Sequence, residues 1–482
     1  MMSGWKKFRY GAGLLWPALL AVAITHTVSS EEVNPRLGKD LSIVMRAEAA
    51  SCAWSPDSKR LAYSADGGIW IADAPRFSQV TKIAEHGSYQ LSWSLDEKKL
   101  AFVDTRAGDS IGNNTIWIVN ADGSGLHDAL NAAGTIFFSG PQISAPQISA
   151  WLGTNQIAFA RGCGTGCVEL DKIDLQTGKP YSFCHGSGPF FWSPDRSRAI
   201  VDNEGSGPNA QGLGLVDPAI FTALSKDRAW SFDVECKSEF EGCVPGHYQT
   251  PGPRTLENEL YRFNAWSSDS RTAFFTGLSC PDFRNGDLYS WNIQNGARAI
   301  VAKDAGYGAP SPDGSHIAFT RFGVENTEGN RARKGAQMYV AKLRGGHGTA
   351  DSVHLSSSVE SGLKMVPIWS PGSDRLIVCD ADGDLLLFTA DGKRKTMLLQ
   401  GWKGLATLAY YMRGEASWSP DGKWISILVQ EMRTPDATPG ANAGGASGTP
   451  LGFGGFIGKP GNAPRAQPTF TQVLYVIANP KL

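Results

Sequence analysis

WSPDGKWISILV, residues 418 to 429, repeats the pattern of WSPDSKRLAYSA at residues 54 to 65, far upstream in the same chain. Related stretches, some of them degraded, begin at eight positions: Trp54, Trp93, Trp151, Trp192, Trp266, Pro310, Trp369 and Trp418. Successive starts differ by 39, 58, 41, 74, 44, 59 and 49 residues, so the basic period is about 40 residues and the excess is insertion. Such a period, with short β-like segments and turn signals, predicts an all-β protein: an eight-bladed β-propeller of four-stranded blades.

The repeated Ser-Pro-Asp-Gly favours a type I turn, because Pro presets φ, Asp bonds to the local backbone and Gly accepts the conformation that follows. Behind it come short apolar runs such as residues 61–63, then an aromatic-centred third strand such as residues 69–71. Asp-Gly and Asn-Gly pairs, as at residues 122–123, then turn into a fourth strand. The motif is therefore predicted to be a hairpin corner, with its Trp packed between neighbouring blades.

The W-S-P-D-G-x-x-I-A-F pattern, followed by an aromatic third strand, resembles the blades of TolB-like propellers over about residues 41 to 478. The resemblance implies the propeller fold. TolB has an α/β domain before its propeller and fewer blades, whereas here about two dozen residues separate the predicted leader from Trp54. The resemblance therefore implies a stand-alone relative, and TolB's role in the envelope transfers only by analogy.

The two ends of the chain are predicted to meet. The eighth motif supplies two strands and residues 473–477 a third, after which the chain ends at Leu482. Residues 41–45 lie just before Trp54, where every other repeat has its fourth strand. The N-terminal strand is therefore expected to complete the last blade, closing the ring and removing an open sheet edge.

The N-terminus resembles a secretory signal. Lys6, Lys7 and Arg9 precede an apolar stretch at residues 12–24, and polar small residues follow up to a predicted cleavage near Ser30. The competing interpretation is a transmembrane anchor, but the run is shorter than the roughly 20 residues that span a bilayer. We expect a signal peptide at 1–30 and one propeller domain at 31–482, periplasmic or secreted, without a stable membrane span after cleavage.

The composition of the chain limits the kinds of partner that it is expected to bind. The chain has 482 residues, of which 41% are hydrophobic and 19% charged, as in globular proteins. The formal net charge is -1, so the molecule lacks the cationic excess that binds a phosphate backbone. Nucleic acid is excluded as an expected partner, a protein or peptide of the cell envelope is expected instead, and the oligomeric state stays open.

The insertions are predicted to share one face. In a blade of strands a to d, the a–b and c–d turns lie on one side and the b–c and d–a connections on the other. The insertions fall on the second side, at residues 108–114, 162–167, 203–211, 229–259, 277–287, 322–335 and 433–467. Loops elaborated on one side of a rigid scaffold favour recognition, and mere tolerance of insertion is the alternative.

The longest insertion, residues 433–467, is rich in Gly, Pro and Ala and almost free of charge, which is typical of a segment without a fixed fold. Its GFGGFIG does not fit the dinucleotide-binding glycine pattern, nor does it join a strand to a helix. We expect a mobile flap over the face or a contact arm using Phe453 and Phe456.

Eight cysteines fit an oxidising compartment. Six are disulfide candidates near the elaborated face, with Cys163–Cys167 and Cys236–Cys243 the simplest pairs and Cys184 and Cys280 also available. Cys52 and Cys379 fall within strands of non-neighbouring blades and are expected to be buried thiols. A zinc site is the alternative, but the spacing is not that of a compact zinc module, so no metal and no cofactor are predicted.

No catalytic constellation is evident in the sequence. There is no G-x-S-x-G nucleophile elbow. The His-Gly-Thr at residues 347–349 resembles one subtilase element without its companions and is expected to lie in a c–d turn. The acidic run at residues 380–384 is followed by Leu385, where an EF-hand requires Gly, so it is interpreted as a connection.

The remaining candidate site is the mouth of the central channel, formed by residues that begin the innermost strands. They are Tyr89, Gln90, Gln147, Tyr261, Arg262, Tyr307, Lys364, Arg413 and Glu415. Mixed Arg, Tyr and Gln around a concave mouth suit peptide or polar-ligand recognition, and ordinary rim solvation is the alternative. The sequence thus predicts an exported, non-catalytic binding propeller. The rival is a propeller enzyme, a polysaccharide lyase or hydrolase with a metal in the channel, of the kind that TolB-like folds include.

Overall fold

The computed structural model describes residues 36–87, 89–105, 114–130, 147–164, 167–186, 190–204, 211–216, 222–223, 259–279, 286–327, 330–344, 347–359, 366–379, 384–400, 416–433 and 469–480. Every regular element in these ranges is a β-strand, which confirms the all-β class. A helix with the length and apolarity to cross a membrane does not occur in them.

The strands of the N-terminal half follow the motifs. Two precede the first motif: β1 (Arg36–Leu37) and β2 (Ile43–Glu48). Sheet 1 contains β3 (Ser51–Trp54), β4 (Arg60–Ala65), β5 (Gly68–Asp73) and β6 (Val80–Ala84). Sheet 2 contains β7 (Tyr89–Trp93), β8 (Lys99–Thr105), β9 (Asn114–Asn120) and β10 (His127–Asp128). Sheet 3 contains β11 (Gln147–Trp151), β12 (Gln156–Gly164), β13 (Cys167–Asp174) and β14 (Lys179–Gly186). Sheet 4 contains β15 (Phe190–Trp192), β16 (Ala199–Glu204) and β17 (Gln211–Val216), and β18 (Thr222–Ala223) follows.

The C-terminal half repeats the arrangement. Sheet 5 contains β19 (Glu259–Trp266), β20 (Thr272–Ser279), β21 (Leu288–Asn292) and β22 (Arg298–Ala302). Sheet 6 contains β23 (Ala305–Pro310), β24 (His316–Thr327), β25 (Asn330–Arg344) and β26 (His347–Val359). Sheet 7 contains β27 (Ile368–Trp369), β28 (Arg375–Cys379), β29 (Leu385–Thr389) and β30 (Lys395–Gln400). Sheet 8 contains β31 (Ala416–Trp418), β32 (Trp424–Arg433) and β33 (Thr469–Ala478).

Within each sheet, consecutive strands pair antiparallel as a meander, and four sheets depart from the simple pattern. Sheet 8 takes its fourth strand from the N-terminus: β2 pairs with β33, with Arg46 opposite Tyr475. The β1 strand adds a fifth strand to sheet 7, and β18 adds one to sheet 3. Sheet 4 has three strands within the described ranges.

The motif tryptophans join neighbouring sheets through their indole N–H groups. The bonds run to the preceding sheet: Trp93 to Ala53 O (3.0 Å), Trp151 to Ser92 O (3.1 Å), Trp192 to Ser149 Oγ (2.7 Å), Trp266 to Phe191 O (2.9 Å), Trp369 to Ala309 O (2.8 Å) and Trp418 to Ile368 O (3.3 Å). Trp54 Nε1 donates to Ser426 Oγ at 3.1 Å, from sheet 1 to sheet 8. The predicted packing of Trp between sheets is confirmed, and the core consists of apolar clusters at these seams.

The motif is a hairpin corner, as predicted. Ser55 Oγ donates to Asp57 Oδ1 (2.7 Å), and the Lys59 N–H donates to the same oxygen (3.0 Å). The Arg60 N–H donates to Ser55 Oγ (3.0 Å). The same hydroxyl-to-carboxylate bond recurs in five other corners: Ser94 to Asp96, Ser193 to Asp195, Ser267 to Asp269, Ser311 to Asp313 and Ser419 to Asp421. The motif's polar atoms therefore serve the turn.

The fifth residue of the motif has a left-handed backbone conformation in these corners, even where it is not Gly. Gly314 and Gly422 have φ of 71° and 72°. Ser58, Ser270 and Ser373 have φ of 62°, 61° and 62° and use their side chains instead. Each serine Oγ accepts a backbone N–H from the corner of another sheet: Ser58 from Asp421 (2.8 Å), Ser270 from Asp195 (3.0 Å) and Ser373 from Asp313 (3.0 Å). These bonds fasten adjacent corners to one another.

Two of the predicted insertions take a definite form. The 322–335 insertion is an extension of two strands, because β24 and β25 stay paired from His316↔Lys342 to Thr327↔Asn330. The 162–167 insertion is a short extension of β12 and β13, in which Gly164 pairs with Cys167. The long 433–467 insertion begins where β32 ends and lies, after Arg433, outside the described residues.

Candidate functional site

The first strands of neighbouring sheets lie against one another, β3 with β7, β7 with β11, and β19 with β23, so they form the inner rim of the molecule. Four of them, β7, β11, β19 and β23, have a register irregularity a few residues before the motif. Bulges of this kind re-aim side chains and are over-represented beside active sites. Two of the predicted mouth residues, Gln90 and Tyr307, lie within these irregular stretches.

Gln90 and Tyr307 stand at equivalent places on the rim, each three residues before the first motif residue of its sheet. Both are left-handed, with φ of 58° and 55°. A non-glycine residue in this region costs on the order of 1 kcal/mol, and such strain concentrates at functional sites. Gln90 Oε1 accepts the Ile148 N–H of the next sheet at 2.9 Å, so this predicted side chain also joins two sheets.

Sheets 5 and 6 bring two predicted residues, Arg262 and Tyr307, around one buried hydroxyl. Arg262 is the register partner of Thr276, and both Thr276 and Asn264 are buried. Thr276 Oγ1 donates to Asn264 Oδ1 at 2.7 Å and accepts the Tyr307 N–H at 3.3 Å. A hydrogen-bonded polar pair under the rim fixes the backbone on which the half-buried Arg262 and Tyr307 side chains are mounted.

For the other predicted rim residues, the structure describes the backbone alone or does not describe the residue. Tyr89 and Gln147 begin β7 and β11, and Tyr261 lies in β19, so their backbones are at the rim. Lys364, Arg413 and Glu415 lie outside the described residues. The mouth hypothesis therefore rests on Gln90, Arg262 and Tyr307 for its side-chain geometry.

A histidine–carboxylate pair in sheet 2 was missed by the sequence reasoning. His86 Nδ1 lies 3.2 Å from Asp104 Oδ2, and the His86 ring packs 4.3 Å from the Trp117 ring and 5.8 Å from that of Phe102. The only sequence signal is His86 in a d–a connection and Asp104 at the end of a second strand, which spacing alone cannot join. A carboxylate that orients an imidazole in this way is the geometry of a base with its orienting partner.

A second arrangement that the sequence did not predict places cationic side chains over aromatic rings of the third strands. Trp70 lies under Lys82 (5.6 Å), Tyr475 under Arg46 (5.7 Å) and Tyr339 under Arg321 (5.1 Å). Lys82 and Arg46 sit directly opposite their aromatic partners on the fourth strand. The aromatic residues were predicted as strand markers, but their function as platforms for cations depends on the cross-strand register.

The electrostatics of the motif carboxylates also indicate a structural role. The pKa values of Asp57, Asp195 and Asp313 are lowered to about 2: partial burial opposes the fall, but hydrogen bonds from serine hydroxyls and backbone N–H groups outweigh it. Such carboxylates stay ionised and bonded to the turn, so they are poor proton donors at neutral pH.

The cysteines divide between described and undescribed segments. Neither Cys52 nor Cys379 is in a disulfide. Cys379 is buried, as predicted, whereas Cys52 is only partly buried, because its side chain lies at the edge of an apolar cluster. Desolvation by the surrounding protein raises the pKa of Cys52 to about 11, against a hydrogen bond with Ser426 that lowers it. Cys163, Cys167 and Cys184 lie on the adjacent strands β12, β13 and β14. Cys236, Cys243 and Cys280 lie outside the described residues, so the predicted pairings remain predictions.

Within the described ranges, no three His, Cys, Asp or Glu side chains are grouped so as to hold a metal ion. The His-Gly-Thr element opens β26 directly after the c–d turn of sheet 6, and residues 380–383 of the acidic run lie outside the described part of the chain.

Comparison with known proteins finds resemblances at low sequence identity only. No family model and no curated protein matches the chain. Solved structures that resemble it include an oligogalacturonate lyase in complex with manganese (TM-score 0.43, 11% identity, 76% of this chain and 95% of that one). Others are the Dos1 propeller (0.42, 14%, 82% and 91%) and a putative TolB from Agrobacterium tumefaciens (0.29, 11%, 74% and 92%). The meandering four-stranded sheets and their tryptophan-linked seams define an all-β protein of the β-propeller class.

Proposed function

We propose that this chain is an exported TolB-like propeller of eight blades that binds a protein or peptide of the cell envelope on its loop-rich face. The eight sheets would be the blades, and β2 would close the ring by completing sheet 8. The bond from Asp421 N to Ser58 Oγ and the bond from Trp54 to Ser426 support closure, because both join the first sheet to the last. The predicted leader and the six candidate disulfide cysteines support export.

The observation that carries the binding function is the network at sheets 5 and 6. The buried Asn264–Thr276 pair holds the backbone of Tyr307 in a strained, left-handed conformation beside Arg262. Strain that the surrounding structure over-determines is a mark of pre-organisation. Tyr and Arg on a pre-organised rim are the residue types that dominate the energetics of protein interfaces.

The test is site-specific photocross-linking in the envelope. A photoreactive phenylalanine at position 307 is expected to capture one saturable partner, and Arg262→Ala is expected to abolish the adduct. The matched control is the same probe at Leu95, which is exposed in the a–b turn of sheet 2 on the opposite face. Equal adducts at 307 and 95, or an adduct insensitive to Arg262→Ala, would remove the support for a binding rim.

The alternative is a propeller enzyme, a lyase or hydrolase with a metal in the channel. The observation that favours it is the His86–Asp104 pair, whose imidazole is half-exposed and oriented by the carboxylate. Native mass spectrometry of the mature protein, oxidised and reduced, separates the two functions. A stoichiometric divalent ion favours the enzyme, whereas a metal-free mass that lacks the protons of two or three disulfides favours the binding propeller.

A further inference from the structure

Sheet 6 holds a guanidinium group on a stacked aromatic pair. The rings of Phe319 and Tyr339 lie 5.9 Å apart at an interplanar angle of 19°. The Arg321 Cζ atom lies 5.1 Å from the Tyr339 centroid and 5.8 Å from the Phe319 centroid. Phe319 is buried and Arg321 is exposed, so the stack positions the guanidinium at the surface while its edge N–H groups face solvent.

Arg321 differs from the other cations that the structure places on aromatic rings. The Lys82 ammonium is paired with Glu85 (2.5 Å), Arg46 Nε donates to Tyr475 Oη (3.2 Å), and Arg60 Nη2 donates to Glu97 O (2.8 Å). Within the described part of the chain, Arg321 has neither a hydrogen bond nor a carboxylate partner. Its guanidinium is held in place by the two rings and is exposed at the surface.

The neighbouring Gln337 supplies a second donor. Gln337 lies opposite Arg321 in the β24–β25 register, and it is exposed. Tyr339 Oη donates to Gln337 Oε1 at 2.6 Å, which fixes the amide so that its Nε2 group is directed to other acceptors. A guanidinium edge beside an amide NH₂ is a set of donors only, and a carboxylate is the acceptor that matches it.

We propose that Arg321 and Gln337 bind a side-chain carboxylate of an acidic peptide; this names the ligand class of the binding function proposed above and rests on it. A peptide is favoured over an acidic sugar because Phe319 is buried and the Tyr339 ring already carries the guanidinium, which leaves little aromatic surface to stack on a sugar ring. The subsite lies on the second and third strands of sheet 6, the sheet whose first strand carries Tyr307.

The experiment measures fluorescence anisotropy of fluorescein-labelled tetraglutamate and tetraglutamine with the full mature protein. Wild type is expected to bind tetraglutamate only, more weakly as salt rises. Arg321→Gln is expected to lose about tenfold or more in affinity, as when a charge-assisted hydrogen bond is removed, and Arg321→Lys to lose less. Gln337→Glu, which leaves the stack intact, is expected to weaken binding similarly by placing a competing carboxylate beside the guanidinium. Arg46→Gln is the matched control and is expected to bind as wild type.

Affinity of Arg321→Gln within twofold of wild type, or equal binding of tetraglutamine, would overturn the carboxylate subsite. An acidic oligosaccharide that binds wild type more tightly than tetraglutamate, with the same dependence on Arg321, would overturn the assignment to a peptide. The photocross-linking at position 307 reports on the rim through Arg262 and not through Arg321. Failure of the subsite is thus distinguishable from failure of the proposed function.

Discussion

Ser58 offers the sharpest test of how the first and last sheets are joined. It is 4% exposed and accepts the Asp421 N–H at 2.8 Å while its own backbone is left-handed. Ser58→Ala removes the acceptor and keeps the strain, so we expect a loss of about 1 to 2 kcal/mol, the value of one hydrogen bond with a partly buried donor left unsatisfied. Ser58→Gly removes the same bond but relieves roughly 1 kcal/mol of left-handed strain, so its global stability should lie nearer to wild type.

The assay is hydrogen exchange of the Asp421 amide, with calorimetry for global stability. About 1 kcal/mol corresponds to roughly fivefold faster exchange, which both Ser58 variants should show. Ser270→Ala is the control, because Ser270 accepts the Asp195 N–H and should accelerate exchange there and not at Asp421. Unchanged exchange at Asp421 in both Ser58 variants, with the expected change at Asp195 in the control, would refute the junction between the first and last sheets.

Three further predictions concern stability at low pH, packing between the sheets, and the reactivity of a thiol. The pKa values of Asp195 and Asp313 are lowered to about 2 in the fold, so their contribution to the free energy of unfolding is present above about pH 4 and is lost as pH falls towards 2. Melting temperatures measured from pH 6 to 2 should show this loss. Asp313→Asn should make the melting temperature less dependent on pH. Phe77, which is 5% exposed and packs edge-on 5.3 Å from Trp424, should cost about 3 to 5 kcal/mol when changed to Ala, measured by urea unfolding, whereas Phe77→Leu should cost less. Cys52, with a pKa of about 11, should resist iodoacetamide at pH 8 in the native protein and react in urea; rapid native alkylation would contradict the raised pKa.

Much of the architecture follows from local sequence signals. Ser55 and Asp57 close a turn with bonds that span a few residues, so Ser-Pro-Asp reports its own conformation wherever it occurs. The same holds for the Asp-Gly and Asn-Gly corners, where Gly123 and Gly296 have φ of 86° and 73°. Repetition of these signals at a fixed period made the sheets and the class of fold predictable.

The candidate sites were less predictable because their partners are distant in sequence. Arg262 was identified, but the hydroxyl that organises its surroundings is on another strand, and the Tyr307 N–H that reaches it comes from the next sheet. The His86–Asp104 pair depends on how the connection after β6 folds against β8, and the Arg321 stack depends on which residues face each other across β24 and β25. The residue types do not specify either arrangement.

The sequence by itself determined the turns, the order of strands and the packing role of the tryptophans, since each depends on backbone preferences and apolar spacing within one repeat. Only the tertiary structure decided the register in which β2 pairs with β33, that Ser58 accepts a hydrogen bond from Asp421, and that Arg321 lies over Tyr339 without a described partner. Contacts between sheets form where two surfaces meet, and a change of one residue in register would direct every side chain of a strand to the other face.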